Sequence, residues 1–172
     1  MSGILNLIRR SYGVLVASAN LLRSPFLLAL RIYFFWQLFQ TGQGKLSNIG
    51  KVIGFFRSLG IPAPHLNAYF VSCLECFGGL LLIVGLASRP IALMITVSMC
   101  VAYITGDFEA VASIFSDPDK FVKADPFPFL MAASIVLFFG PGLISIDAFL
   151  AHFLGGKRDS TVDRSTQALS SK

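Results

Sequence analysis

The sequence predicts an all-α integral membrane protein, a four transmembrane helix bundle with an interfacial amphipathic helix between spans 1 and 2. Of its 172 residues, 55% are hydrophobic and only 13% are charged, which is too little charge to cover a water-exposed surface. Four apolar segments reach or approach the length that crosses a bilayer. Phe alone occurs 17 times, and an aromatic-rich surface of this kind suits lipid.

The predicted spans begin and end at residues that favour helix boundaries. Pro90 suits the first turn of the third span, and the sequence 140–142, Gly-Pro-Gly, ends the fourth. Ser145 and Asp147 then favour the start of a short continuation helix. The four spans are expected from about Ser24 to Gly42, Leu66 to Leu86, Pro90 to Ile104, and Pro126 to Phe139.

Three further segments flank or connect the spans. Residues 1–23 are predicted to form an N-terminal interfacial segment, residues 24–154 the four-span membrane domain, and residues 155–172 a disordered cytoplasmic tail. In the loop after the first span, apolar residues gather on one helical face, and Gly60 and Pro62 end the helix. The apolar residues of this amphipathic helix are Ile49, Val52, Ile53 and Phe56.

The distribution of charge predicts the orientation and the partners. Basic residues favour the cytoplasmic side, and three basic flanks fall on one side of a four-span chain, so both termini are expected in the cytoplasm. The acidic loop 107–125 falls on the opposite side, where the basic loop 43–65 disagrees with the rule. The net charge of +5 indicates anionic lipid rather than nucleic acid, because the basic residues border apolar segments. The flanks contain Arg9, Arg10 and Arg23, then Arg89, then Lys157 and Arg158.

Ionisable residues within the spans are the candidate functional residues, because charges in lipid are costly and usually face the bundle interior. Glu75 is expected to pair with Arg31 or Lys45 across the first two helices. Such a pair either fixes the helix register or forms a ligand or proton site. A cavity lined by these three residues with Trp36 and Tyr69 would suit a quinone head group or a small oxyanion.

Cys73 and Cys76 form a Cys-x-x-Cys pair beside Glu75 and have two interpretations. They are either a redox couple or two small residues that allow close helix packing. Redox pairs usually lie at a helix N-terminus, whereas this pair lies about two turns into the span. No metal site is predicted, because His65 and His152 are isolated.

The order of several short motifs resembles the DoxX family of four-helix bacterial membrane proteins. The motifs are LRIYFFWQLFQTGQGKL, then LGIP, then ECFGGLLLIVGLASRP, and finally GPGLISIDAFL, which together cover about Leu30 to Leu150. The polar positions of the family would fall on Arg31, Lys45, Glu75, Arg89 and Asp147, and its glycines on Gly42, Gly78, Gly79, Gly85, Gly140 and Gly142.

The resemblance implies a bacterial inner-membrane protein linked to redox chemistry. The family is named for a small subunit of a thiosulfate:quinone oxidoreductase, and relatives are linked to membrane thiol and oxidative-stress complexes. Its general pattern does not include the cysteines. The acidic loop 107–125 resembles an elaboration of part of the family and is expected to dock a soluble or membrane redox partner.

The expected function is therefore that of a small membrane subunit of a quinone- or thiol-linked redox assembly. Glu75 is expected to handle protons, while Arg31 and Lys45 supply positive charge. Quinone is the candidate cofactor, contacted by Arg31, Trp36 and Tyr69. Two alternatives remain, a non-catalytic scaffold that anchors a soluble partner and a small-solute carrier. The oligomeric state is open.

Overall fold

The computed structural model describes residues 2–155, and that part of the chain contains helices and no strand. A π-helical turn, Leu74–Gly78, joins the helices Pro64–Cys73 and Gly79–Val84 into one continuous helix. The helices are α1 (Ser2–Ser47), α2 (Ile49–Ser58), α3 (Pro64–Cys73), α4 (Gly79–Val84), α5 (Ser88–Gly106), α6 (Phe108–Ala112), α7 (Pro118–Lys123), α8 (Phe127–Phe139) and α9 (Ile146–Gly155).

Three long helices are apolar enough to cross a membrane, which confirms the predicted class of fold. They cover Tyr12–Ser47, Pro64–Val84 and Ser88–Gly106. The fourth predicted span is the shorter helix α8, whose 13 residues extend over about 20 Å at about 1.5 Å per residue. The second and third spans begin two residues earlier than predicted, because Ala63 and Ala87 take left-handed conformations and turn the chain directly into each helix.

Helix α1 is longer than the first predicted span. It passes through Pro25 without interruption, so the boundary expected between residues 23 and 24 does not separate two helices. Most of the tail predicted at 155–172 lies outside the described residues.

Helix α2 has the predicted amphipathic pattern. The four apolar residues of its predicted inner face are each partly buried, whereas Lys51, Phe55 and Arg57 are exposed. Lys45 contacts Glu75 and Arg57 contacts His65, so the chain from the end of α1 through α2 runs antiparallel to α3. The helix thus covers the first half of α3.

The apolar core lies where α1, α4, α5 and α8 meet. Helix α5 packs along α8, and α1 packs against the π-turn and α4. The largest apolar side chains that are fully buried are Phe35, Leu38, Leu82, Ile95 and Val136.

Two glycines bring α1 and the α3–α4 helix into close contact. A Cβ atom on Gly42 would lie 2.8 Å from the Cα atom of Cys76 and closer still to its amide nitrogen, and one on Gly79 would lie 3.0 Å from the carbonyl oxygen of Phe35. Only glycine permits this backbone approach. The crossing at Gly42 fixes the end of α1 directly beside the π-turn.

The two ends of the bundle differ in charge. Arg23 donates a hydrogen bond to the carbonyl oxygen of Phe139 at 3.1 Å, and Arg89 lies against Gly140, so two of the three predicted basic flanks meet at one end. The third, Lys157 and Arg158, lies outside the described residues. The acidic segment (residues 107–125) lies at the opposite end and forms α6 and α7.

Candidate functional site

The candidate site is the ion pair between Lys45 and Glu75. The Nζ atom of Lys45 lies 2.6 Å from Oε1 of Glu75, and the two side chains are 31% and 3% exposed. Glu75 follows Pro64 by 11 residues and precedes Val84 by 9 in the span Pro64–Val84, so it lies about 15 Å from either end of that span. Of the two predicted partners of Glu75, the structure selects Lys45.

The π-helical turn places Glu75 on the face towards Lys45. Such turns insert one extra residue into an α-helix and are frequent at functional sites. Here the turn covers Leu74–Gly78, and the backbone of α1 at Gly42 lies against its residue Cys76. Lys45 follows Gly42 by three residues, nearly one helical turn, and therefore reaches the turn from the same face of α1.

The ion pair leaves hydrogen-bonding capacity unused. The Oε2 atom of Glu75 is buried without a hydrogen-bond partner in the described structure. A lysine ammonium group has three donors, and one of them is directed at Oε1. A buried carboxyl oxygen without a donor is costly, so Lys45 compensates the carboxylate only in part within the described structure.

Arg31 does not join this site, so the predicted convergence of Arg31, Lys45 and Glu75 is wrong. Arg31 precedes Lys45 by 14 residues on α1, a separation of roughly 21 Å. Its side chain is buried at the other end of the bundle. There Nη1 donates to the carbonyl oxygen of Pro141, and Nη2 donates to those of Ile83 at 3.2 Å and Ile144 at 2.9 Å. Arg31 thus joins three chain segments and offers no accessible charge to a ligand.

Asp147 completes the arrangement at that end. Its carboxylate oxygens accept hydrogen bonds from the backbone N–H groups of Ala87 and Ser88, each at 2.8 Å, and so cap the N-terminus of α5. The start of α9 is capped instead by Ser145, whose Oγ accepts from the N–H of Ala148 at 3.2 Å. Burial alone would raise the pKa of Asp147, but these N–H groups and the charge of Arg31 lower it below its usual value.

The predicted cavity containing Trp36 and Tyr69 is also wrong. Trp36 is 50% exposed and Tyr69 is 51% exposed, whereas Arg31 is 1% exposed. The two aromatic rings lie on the outer surface of α1 and α3 while Arg31 lies in the interior, so one head group cannot touch all three. The sequence alone does not show which face of α1 and α3 is buried, so it could not show that Trp36 and Tyr69 lie on the exposed faces.

The three cysteines are free thiols, with Cys76 buried, Cys73 partly buried and Cys100 exposed. Cys76 lies at the contact with Gly42, which is a packing position. Among residues 2–155, no three His, Cys, Asp or Glu side chains are grouped as metal ligands.

Sequence reasoning missed two features of this region. The π-turn has no sequence signature, although the paired Gly78 and Gly79 marked the close contact that accompanies it. The role of Asp147 as a cap for α5 was also missed, because the residue was assigned to its own helix. Its distance of 60 residues from Ala87 hides this contact from any local pattern.

Comparisons with known proteins agree with the family resemblance. Residues 26–107 match the family model described as DoxX. A relative from Bacillus subtilis (strain 168), named "Putative oxidoreductase CatD", is 31% identical over 83 residues, which are 48% of this chain. The chain spans 60% of the length of that relative. No solved structure matches this chain. The chain is therefore a membrane protein that is helical over the described residues 2–155, and its residues 26–107 are similar to the DoxX family.

Proposed function

We propose that the chain is a small membrane subunit of a quinone- or thiol-linked redox assembly, in which Lys45 and Glu75 handle a proton. The observation that carries the proposal is the ion pair of Lys45 with Glu75, which is buried in the middle of the span Pro64–Val84 and keeps one carboxylate oxygen without a partner in the described structure. Ionisable groups at this depth usually mark proton relays or substrate paths. The name of the Bacillus relative, which contains the word oxidoreductase, supports the same class of function.

The geometry divides two tasks between the two residues. A quinone, when bound, would supply two-electron chemistry coupled to proton uptake. Glu75 can hold a proton on Oε2, because that oxygen has no other partner. Lys45 keeps donors free and can stabilise negative charge next to the carboxyl group. A neutral ligand can approach Lys45 through its partly exposed side, which is the only exposed part of the pair.

The proposed location is the bacterial inner membrane, with both termini in the cytoplasm. The end of the bundle that carries Arg23 and Arg89 would face the cytoplasm under the positive-inside rule. The acidic segment, residues 107–125, would then face outwards.

The test is binding and reduction of a short-chain quinone by the purified chain in lipid nanodiscs. Binding is measured by titration calorimetry rather than by fluorescence, because quinone dissolved in the lipid would quench Trp36 on the outer surface of α1 without entering the site. The variants Glu75→Gln and Lys45→Met are expected to weaken binding and slow reduction by a thiol donor. The matched control is Asp119→Asn with Lys123→Gln, which removes an exposed ion pair of 2.9 Å. Equal quinone affinities and equal reduction rates in all variants would contradict the proposal.

The thiol-linked form of the proposal has its own test. Membranes are labelled with a membrane-permeant thiol reagent of known mass, before and after reduction, and the chain is weighed intact. A redox pair predicts that Cys73 and Cys76 label only after reduction and are protected again by added quinone. Labelling without reduction would leave the Lys45–Glu75 site as the proposed reaction site and remove the cysteines from it.

Anchoring of a redox partner is the second candidate function, because the acidic segment is exposed beyond the core. Phe115 is 99% exposed at the turn between α6 and α7. A scaffold predicts that a stoichiometric partner copurifies with the chain and is lost when residues 107–125 are replaced, while quinone reduction by the isolated chain is absent.

A further inference from the structure

The outward face of α2 consists of Gly50, Lys51, Gly54, Phe55 and Arg57, which are all exposed in the described structure. A Cβ atom built on Gly50 or Gly54 would meet nothing within 4 Å. The two glycines are four residues apart and therefore adjacent on the helix. Small residues at this spacing allow the backbone of another helix to approach closely, so the face has the shape of a packing surface without its partner.

The cations on this face also lack acidic partners. Among residues 2–155, neither Lys51 nor Arg57 forms an ion pair. Arg57 contacts the imidazole ring of His65, with 3.3 Å between Nη2 and Nε2. The outward face of α2 therefore attracts a negatively charged surface.

The acidic segment supplies the matching charge. Its two lysines are already paired, Lys120 with Asp117 at 4.0 Å and Lys123 with Asp119 at 2.9 Å. The remaining acidic residues have no ion-pair partner within the described part of the chain; they are Asp107, Glu109 and Asp125.

The two surfaces lie at the same end of the bundle but on different helices. The outward face of α2 belongs to the hairpin of α2 and α3, whereas the acidic segment joins α5 to α8. Two copies side by side in one bilayer share the membrane normal, so their equivalent ends lie at the same height. Arg57 lies beside His65 at the start of the span Pro64–Val84, so this end of the basic face is the part that approaches the acidic segment of the next copy.

We propose that this chain forms a head-to-tail oligomer, in which the outward face of α2 packs against residues 107–125 of a second copy. A two-fold contact between two α2 helices would bring Lys51 and Arg57 towards their own equivalents, and like charges oppose it. Different surfaces in contact produce a ring or an open chain. The contact also explains why a basic loop lies on the side that the positive-inside rule disfavours. This inference does not rest on the redox function.

The first test places a large side chain on the proposed contact surface of α2. Gly54→Leu adds a side chain where the subunit has open space, and leucine favours helix more than glycine does, so the monomer is expected to fold. Self-association in lipid vesicles, measured by energy transfer between labelled copies, is expected to weaken about tenfold. Gly13→Leu is the matched control, because a Cβ atom there also meets nothing within 4 Å, and it should leave association unchanged.

The second test exchanges the charges. Lys51→Glu with Arg57→Glu, and Asp107→Lys with Glu109→Lys, should each weaken self-association, and mixing the two variants should restore it. A monomeric wild-type chain would overturn the proposal, as would association that neither Gly54→Leu nor charge reversal changes. Loss by Gly54→Leu without any charge effect would indicate contact between two α2 helices and would equally overturn it. Carbodiimide cross-links from the acidic segment to a different protein would assign that segment to another partner.

Discussion

Replacing Lys45 by methionine tests whether the ion pair with Glu75 is a compensated charge pair. Methionine keeps the length of the side chain and removes its charge. In Lys45→Met the carboxylate of Glu75, 3% exposed, would lose its one hydrogen-bonding partner. The fold must then hold an uncompensated charge or a carboxylic acid without a partner.

The magnitude follows from the burial of the two side chains. Breaking a buried pair by removing one partner typically costs about 3–5 kcal/mol of the free energy of unfolding. Because Lys45 is 31% exposed, we take the lower end, about 3 kcal/mol. Glu75→Gln leaves Lys45 without its partner, but the lysine can reach polar surroundings. This variant should lower the free energy of unfolding by about 1.5 kcal/mol, the value of one charge-assisted hydrogen bond. The double variant, Lys45→Met with Glu75→Gln, should lower the free energy of unfolding by no more than Glu75→Gln alone.

The assay is reversible unfolding in mixed micelles, in which helicity is followed as the fraction of denaturing detergent rises. The wild type, the two single variants and the double variant form a thermodynamic cycle. We expect a coupling free energy of about 3 kcal/mol between the two positions. A double variant that costs the sum of the two singles would refute the reasoning, since it would show that the two residues do not interact in the folded protein.

Three more substitutions test the other contacts. Gly42→Ala should destabilise the fold by about 3 kcal/mol, the upper end for overpacking, because the Cβ atom of the new alanine would meet the backbone of Cys76. A change below about 1 kcal/mol in the same unfolding assay would contradict the close crossing of the two helices. Arg31→Lys should cost about 2 kcal/mol, because an ammonium group cannot reach three carbonyl oxygens in place of the guanidinium group, and its quinone binding should equal that of the wild type. Asp147→Asn should destabilise the fold above pH 4. Because the pKa of Asp147 is lowered below 3.8 in the folded protein, its stabilising effect is present above that pH and lost as the pH falls further, so the difference from wild type should disappear in acid.

Local patterns in the sequence predicted most of the helices. Hydrophobic length identified three of the spans, and the inner face of α2 followed from the 3.6-residue period. Gly60 ends that helix with φ of 69°, as its position after the helix indicated. The early starts at Ala63 and Ala87 could not be predicted, since alanine has no preference for the left-handed conformation that it takes there.

The partners of the buried charges were only partly predictable. Glu75, Lys45 and Arg31 were identified as the important residues because charges within apolar segments need partners. Their pairing depends on how far each helix slides past its neighbour, and that register is set by the contact of Gly42 with Cys76 and by the π-turn. A spacing of 14 residues placed Arg31 and Lys45 on one face of α1 but did not show that their surroundings differ.

Arg31 and Lys45 share that face, yet their side chains have different surroundings. Both Nη atoms of Arg31 donate to carbonyl oxygens of the turns that close the bundle. Its Nε atom has no partner in the described structure, but the side chain is 1% exposed and is closed off from a ligand. Lys45 makes one hydrogen bond and is partly exposed, and its partner Glu75 keeps an unbonded oxygen. An ion pair that served only to fix the helix register would be expected to satisfy the buried carboxylate of Glu75 completely, because an unpaired buried carboxyl oxygen is costly. On this ground we propose Lys45 and Glu75, which a ligand can approach through the exposed side of Lys45, as the site of the reaction, and Arg31, which is 1% exposed, as part of the framework that holds them.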